Sequence, residues 1–245
     1  TSKRVRERFP AITVVQLPEN LGGGARNYGV RTVDRELVAF ADDDSWWDHG
    51  DLAEAIALFD RHPRLGLIMS RVLAGPENRL DPCCELMSRS PLPVSGTSPG
   101  IPILGFMGCG VAFRRDAFLA NGGFQERFRT GGEEAIVAMD MARDGWELRY
   151  VPELITHHHP APRSNMPERR IEGIRAEIWL ACMRRRPRYI ARIVTRQLSR
   201  AVREPAYRTG IRQAYPRIPA VMRERRPVPP WLERQLELLE RQRGE

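Results

Sequence analysis

The sequence predicts an α/β fold, a mostly parallel sheet flanked by helices and followed by a basic helical extension. Three observations predict it. Short apolar or β-branched runs at residues 11–17, 37–40 and 66–73 alternate with stretches of helical periodicity. The second run ends in three consecutive carboxylates, Asp42, Asp43 and Asp44, and strand ends are where open α/β sheets place their ligands. Beyond about Met166 the texture changes to amphipathic, arginine-rich segments.

The first run, residues 11–17, reads as a strand stopped by Pro18. A glycine turn, Gly22-Gly23-Gly24, and a helix-like stretch from Ala25 follow. Strand, turn and helix make half of a βαβ unit, and the helix start offers free N–H groups to an anion. Such a run is equally compatible with a plain tight turn. With the strand at 37–40, this order implies parallel pairing through a right-handed crossover. Leu52, Ala55, Ile56, Leu58 and Phe59 form an amphipathic stripe closed by His62-Pro63, and residues 66–73 read as a further strand. Residues 75–105 carry six prolines and read as a functional loop or lid. The apolar pattern resumes at 103–113, broken by Gly105, Gly108 and Gly110. A short helix begins near Arg114, a stronger one follows Gly131-Gly132, and residues 148–151 form a strand leading to His157-His158-His159.

At 245 residues the chain can bury a substantial core, and 42% hydrophobic with 29% charged residues fits a globular protein. No apolar run reaches membrane-span length, and the opening residues are polar and basic rather than signal-like. The cysteines, Cys83, Cys84, Cys109 and Cys182, match no zinc spacing and read as reduced and cytosolic. The net charge of +8 is uneven: residues 163–245 hold 21 Arg and 9 Glu, or +12, leaving −4 for residues 1–162. A division follows, with a core at 1–162 and an Arg-rich helical extension at 163–245. The extension suits an anionic partner such as the inner face of the cell membrane, or is simply a solvated helical face. Sparse aromatics and no reading motif argue against nucleic acid.

Three adjacent acids repel one another unless a cation or donors lie between them. Oxygen ligands on a tight turn suit Mg²⁺ or Mn²⁺ better than zinc, and a turn capping the next helix is the plainer alternative. Glu133 and Glu134 sit in a first helical turn, where the helix dipole already favours acids. In extended chain, His157 and His159 point one way and His158 the other. No H-E-x-x-H spacing supports a zinc hydrolase.

Four features occur in a set order: Glu19-Asn20-Leu21-Gly22 with Ala25-Arg26-Asn27; Phe40-Ala41-Asp42-Asp43-Asp44; Gly122-Gly123-Phe124 before Gly132-Glu133-Glu134; and Tyr150-Val151-Pro152 before His157. This order resembles the family 2 glycosyltransferases of the GT-A, Rossmann-like fold, in particular rhamnosyltransferase-like members, over about residues 11–160. The resemblance implies metal-assisted, inverting transfer of a sugar from a nucleotide-sugar to a glycan or lipid-linked acceptor. It implies Mg²⁺ or Mn²⁺ on Asp44, with Asp42, His157 or His159 as further ligands. It places Asn20, Gly22, Arg26, Asn27, Asp42 and Asp43 on the donor, and Glu134, with Glu133 as competitor, as the base. The family's first strand–helix–strand unit has no counterpart before residue 11. An N-terminally incomplete core with weak donor binding is therefore expected, and a non-catalytic remnant or partner subunit is the alternative. No Gln-x-x-Arg-Trp follows the base, which points to single rather than processive transfer. The expected location is cytoplasmic and peripheral to the membrane, and a homo-oligomer is left open.

Overall fold

The structure, a computed structural model, describes residues 2–128, 131–161 and 166–244. The expected boundary between residues 162 and 163 lies outside the described residues. An amino-terminal helix, α1 (Ser2–Arg8), precedes a 3₁₀ turn at Gly22–Gly24 and α2 (Ala25–Thr32). The strands are β1 (Leu37–Ala39), β2 (Ser45–Trp47), β3 (Leu65–Ala74), β4 (Arg79–Leu80), β5 (Ile101–Pro102), β6 (Val111–Arg114) and β7 (Glu147–His158). Between them lie α3 (Asp51–Arg61), α4 (Pro82–Ser88), α5 (Arg115–Ala120) and α6 (Glu133–Arg143).

The sheet is mixed, in the order β1-β6-β3-β7-β2, with β4 beside β3 and β5 beside β7. The long β3–β7 ladder is parallel; the ladders of β1, β2, β4, β5 and β6 are antiparallel. Residues 11–17 are not a strand, so the parallel pairing expected across α2 is not made. Their β-branched residues carry the propensity, but no strand edge meets them, and Ile12 and Val15 are exposed. Propensity without a ladder partner does not make a strand. The proline-rich stretch from 75 to 105 also gains structure, holding β4, α4 and β5. Asp81 caps α4 by accepting from the Cys83 N–H at 2.8 Å.

β3 is buried on both faces, which explains its unbroken apolar run. Its alternate residues serve two cores. Ile68 packs with Ala55, Leu58 and Phe59 of α3, whereas Leu67 and Met69 pack with Phe113 and with Val137, Ala138 and Met141 of α6. The β3–β7 register shifts after Ser70–Val151 and resumes at Arg71–Ile155. That bulge bends β7 just before its histidines.

The tail folds as α7 (Met166–Arg184), α8 (Pro187–Ala201), α9 (Pro205–Ala214), α10 (Ile218–Arg223) and α11 (Pro230–Gln242). It is packed onto the sheet-bearing part. Val228, Leu232 and Leu236 join the same core cluster as β3 and α6. Two of its arginines are turned inward, Arg184 and Arg185, and Arg192 and Arg196 pair with Glu240 and Glu177. No helix among the described residues is long and apolar enough to cross a membrane.

Candidate active site

The acid triplet occupies the turn from β1 to β2. Its shape is fixed by backbone and hydroxyl bonds: the Asp42 N–H donates to Ser45 Oγ at 2.7 Å, and the Ser45 N–H donates to the Asp42 carbonyl at 3.1 Å. Ser45 Oγ in turn donates to the Cys109 carbonyl at 3.1 Å, tying the turn to the glycine-rich 105–110 segment. Trp47 Nε1 donates to the Phe40 carbonyl at 3.1 Å and closes the loop from the other side.

β2 pairs with the end of β7, and this register decides which histidine meets the acids. Ser45 lies opposite His158, and Trp46 opposite His157. His158 Nε2 is 3.4 Å from Asp44 Oδ1. Asp42, Asp44 and His158 each offer one ligand atom, and these atoms lie within 4.8 Å of one another. Two carboxylate oxygens and an imidazole nitrogen suit Mn²⁺, and Mg²⁺ less well because it prefers all-oxygen shells. His157 turns the other way: it stacks on Trp46 with ring centres 5.3 Å apart, and its Nδ1 lies 2.9 Å from Asn78 Oδ1. His159 meets the edge of Trp46, while its backbone N–H donates to the Asp44 carbonyl at 2.8 Å. Asp43 is exposed.

Arg26 links this cluster to the start of α6. Its guanidinium pairs with Asp42 and lies over the Phe40 ring, 5.8 Å from the centroid. It also flanks Gly108, where an added Cβ would come within 3.2 Å of Arg26 Nη2 and 3.5 Å of Glu134 Oε1. Glycine at 108 thus lets two charged groups converge on the backbone. The Gly108 N–H donates to Glu134 Oε1 at 3.0 Å. Burial first, then the neighbouring Glu133 charge, pushes the Glu134 carboxyl up to about 7, while Gly108 and Arg26 pull against that shift. Burial likewise raises Glu133, whose Oε2 has no hydrogen-bond partner. Its side chain lies against the glycine turn, 3.2 Å from where a Gly23 Cβ would stand. A carboxyl that titrates near neutrality beside an acid–imidazole cluster can accept a proton where a cation can neutralise charge.

Residues 2–121 match a family described as "Glycosyl transferase family 2". That match takes in just under half of the chain. Solved structures of similar fold include S. aureus TarS in complex with UDP-GlcNAc, with TM-score 0.53 and 17% identity over 72% of this chain and 52% of that one. A mannosyltransferase of Pyrobaculum calidifontis in complex with GDP-Man and Mn²⁺ matches with TM-score 0.53 and 19% identity over 91% of this chain and 58% of that one. GalNAc-T7 with UDP, GalNAc and Mn²⁺ matches with TM-score 0.52 and 12% identity over 74% of this chain and 40% of that one. The chain thus spans only about half the length of these structures. No curated protein sequence matches it significantly.

The segment from Asn20 to Asn27 divides its work. Asn20 Oδ1 accepts from the Gly22 N–H at 2.9 Å and shapes the turn, with Gly22 in the left-handed region at φ 58°. Asn27 is buried and uses both ends of its amide on the Phe124 backbone: Nδ2 donates to the carbonyl at 2.7 Å, and Oδ1 accepts from the N–H at 2.9 Å. The structure therefore brings together Arg26, Asp42, Asp44, Glu134 and His158, and sets Asn27, Asp43, His157 and His159 apart. Ser45 went unread in the sequence, and His158 and Gly108 were noticed there without being placed in the site. Only the β2–β7 register distinguishes His158 from its neighbours.

Proposed function

We propose that this chain transfers a sugar from a nucleotide-sugar to an acceptor hydroxyl with inversion at the anomeric carbon. The convergence of Asp42, Asp44 and His158 on one point, joined through Arg26 and Gly108 to Glu134, carries this reading. Asp42, Asp44 and His158 would hold Mn²⁺ or Mg²⁺. Bound there, the cation would supply Lewis-acid neutralisation of the departing diphosphate. Glu134 takes the proton of the acceptor hydroxyl as that oxygen bonds to the anomeric carbon. The bond from that carbon to the diphosphate breaks, and its electron pair leaves with the nucleotide. Arg26, paired with Asp42, orients that carboxylate and places a positive charge between the donor end and the base.

The donor reading agrees with what the similar structures hold: UDP-GlcNAc in TarS, and GDP-Man with Mn²⁺ in the mannosyltransferase. The tail contributes a surface: Val194, Leu198 and Val202 form an exposed apolar row on and just beyond α8, near the exposed Arg203. We assign that row to an anionic membrane surface.

Calorimetry with Mn²⁺ and nucleoside diphosphates tests the site. Metal-dependent heat with UDP or GDP, lost in Asp44→Asn, supports it. No heat with any nucleotide at protein well above micromolar concentration overturns it for this chain. NMR of the anomeric proton in the transfer product reports inversion or retention directly.

A further inference from the structure

β7 changes register with β3 just before it reaches the acids. Ser70 pairs with Val151 and Arg71 with Ile155, so Pro152, Glu153 and Leu154 have no counterpart on β3. Ile155 is the first residue past this bulge, and His158 follows in the same strand. With spare residues behind it, the end of β7 does not inherit its register from its start. A slip of one residue there would turn His158 away from Asp44.

Two local holds oppose such a slip. From β3, Ser70 Oγ and Thr156 Oγ1 bond at 2.7 Å in the buried interior. From the other side, the turn that opens α3 takes both backbone groups of Ile155. The Asp48 N–H donates to the Ile155 carbonyl at 2.9 Å, and the Ile155 N–H donates to Asp51 Oδ2. Asp51 is the first residue of α3, where the helix dipole already favours an acid. A carboxylate facing solvent would meet that need. Here the carboxylate instead grips a backbone N–H 104 residues away in the chain, and a charge-assisted bond of this kind is roughly twice as strong as a neutral one. The Asp51 N–H donates to the Asp48 carbonyl at 3.3 Å and so closes the turn that carries both contacts.

Resting on the reading of His158 as a metal ligand, we infer that Asp51 is a positioning residue for the metal site. Its bond to Ile155 sets the register that brings His158 to Asp44, although Asp51 itself lies outside the Asp42, Asp44 and His158 group.

Amide hydrogen exchange followed by NMR, with Mn²⁺ calorimetry, tests this on the full chain. Asp51→Ala should speed exchange about tenfold at Ile155 and about threefold at His159, whose N–H donates to the Asp44 carbonyl. It should also weaken Mn²⁺ binding roughly three- to tenfold. Asp51→Asn keeps an oxygen acceptor for the Ile155 N–H. It should hold both readouts within about twofold of wild type, even where the charge lost from the start of α3 lowers the melting temperature. Combined with His158→Ala, Asp51→Ala should add less than about twofold to the loss from His158→Ala alone, because Asp51 acts through that imidazole. Exchange at His159 or Mn²⁺ affinity unchanged in Asp51→Ala, an Asp51→Asn as weak as Asp51→Ala, or losses that add in the double variant would overturn the inference. Wild-type protein that binds no Mn²⁺, or that keeps its affinity in His158→Ala, would instead remove the metal reading. The exchange rates at Ile155 and His159 then decide the register role by themselves: faster in Asp51→Ala sustains it, unchanged refutes it.

Discussion

Arg184 holds Asp140 with two arms, Nε to Oδ1 and Nη2 to Oδ2, each at 2.7 Å. Both side chains are only 4% exposed. The pair joins α7 of the tail to α6, the helix that begins with Glu133 and Glu134. Taking Asp140 away leaves the Arg184 charge buried without a carboxylate, which costs about 3–5 kcal/mol, whereas Asp140 without Arg184 would keep Arg143 Nη1 at 3.0 Å. Replacing both with apolar groups of similar volume is often close to neutral. Asp140→Asn should therefore lower the urea midpoint strongly, and Asp140→Leu with Arg184→Met should recover most of the loss. A near-neutral Asp140→Asn would show that the tail does not brace α6.

Glu134 makes activity and stability depend on pH in opposite directions. Its carboxyl lies at about 7 rather than at its ordinary 4.5. An acid raised on folding binds its proton more tightly in the folded chain, so stability is greatest below the unfolded value and falls as pH climbs through the folded one. Between pH 4.5 and 7 the decline approaches 3 kcal/mol, at about 1.4 kcal/mol per pH unit. Transfer needs the ionised form, so kcat/KM should rise across the same window with an apparent pKa near 7. Thermal midpoints from pH 4 to 9 check the first effect, and Glu134→Gln should flatten it. A wild-type stability that rises through this window would contradict the assignment.

Asn27 clamps the Phe124 backbone from inside the core rather than facing the acids. Asn27→Ala would strand a buried N–H and carbonyl, at about 1–3 kcal/mol each. Stability should fall by roughly 2–4 kcal/mol while the Mn²⁺ affinity of the folded protein stays within twofold of wild type. Calorimetry below the melting point, paired with chemical denaturation, separates these. A selective loss of nucleotide binding with stability unchanged would return Asn27 to the donor site.

What the sequence made legible follows from how local each signal is. The triplet, the glycine turn and the two glutamates stand in contiguous motifs, and Asp42, Asp44 and Glu134 could be picked out one by one. The tail was readable as helical from periodicity, but α9 and α10 were not read as separate helices. The tail's burial was not legible, because Arg184 and Arg185 look like a solvated basic run until Asp140, Glu233 and Glu240 arrive from distant helices. Residues 11–17 show the reverse error, since strand propensity was present and a pairing edge was not. The histidines show the sharpest limit. Alternation correctly sorted His157 and His159 from His158, but nothing in the chain said which set would face Asp44.

The β2–β7 register makes that choice testable. His158 stands 3.4 Å from Asp44, whereas His157 stacks on Trp46 and bonds Asn78. An imidazole that ligates Mn²⁺ is lost without replacement in His158→Ala, and a water that fills the position is a weaker donor. Mn²⁺ affinity, read by calorimetry or by the decline of the free-ion EPR signal, should fall more than tenfold, or at least about 1.4 kcal/mol. His157→Ala and His159→Ala should change it less than threefold, since His157 gives up contacts with Trp46, Asn78 and Asp48 and His159 one with Trp46, none of them with Asp42 or Asp44 side chains. His158→Asp, which restores a carboxylate donor, should recover part of the affinity and shift preference from Mn²⁺ toward Mg²⁺. If His157→Ala were the variant that lost the metal, β2 and β7 would have to pair one residue out of the register seen here. That slip would turn every side chain at the end of the strand to the opposite face.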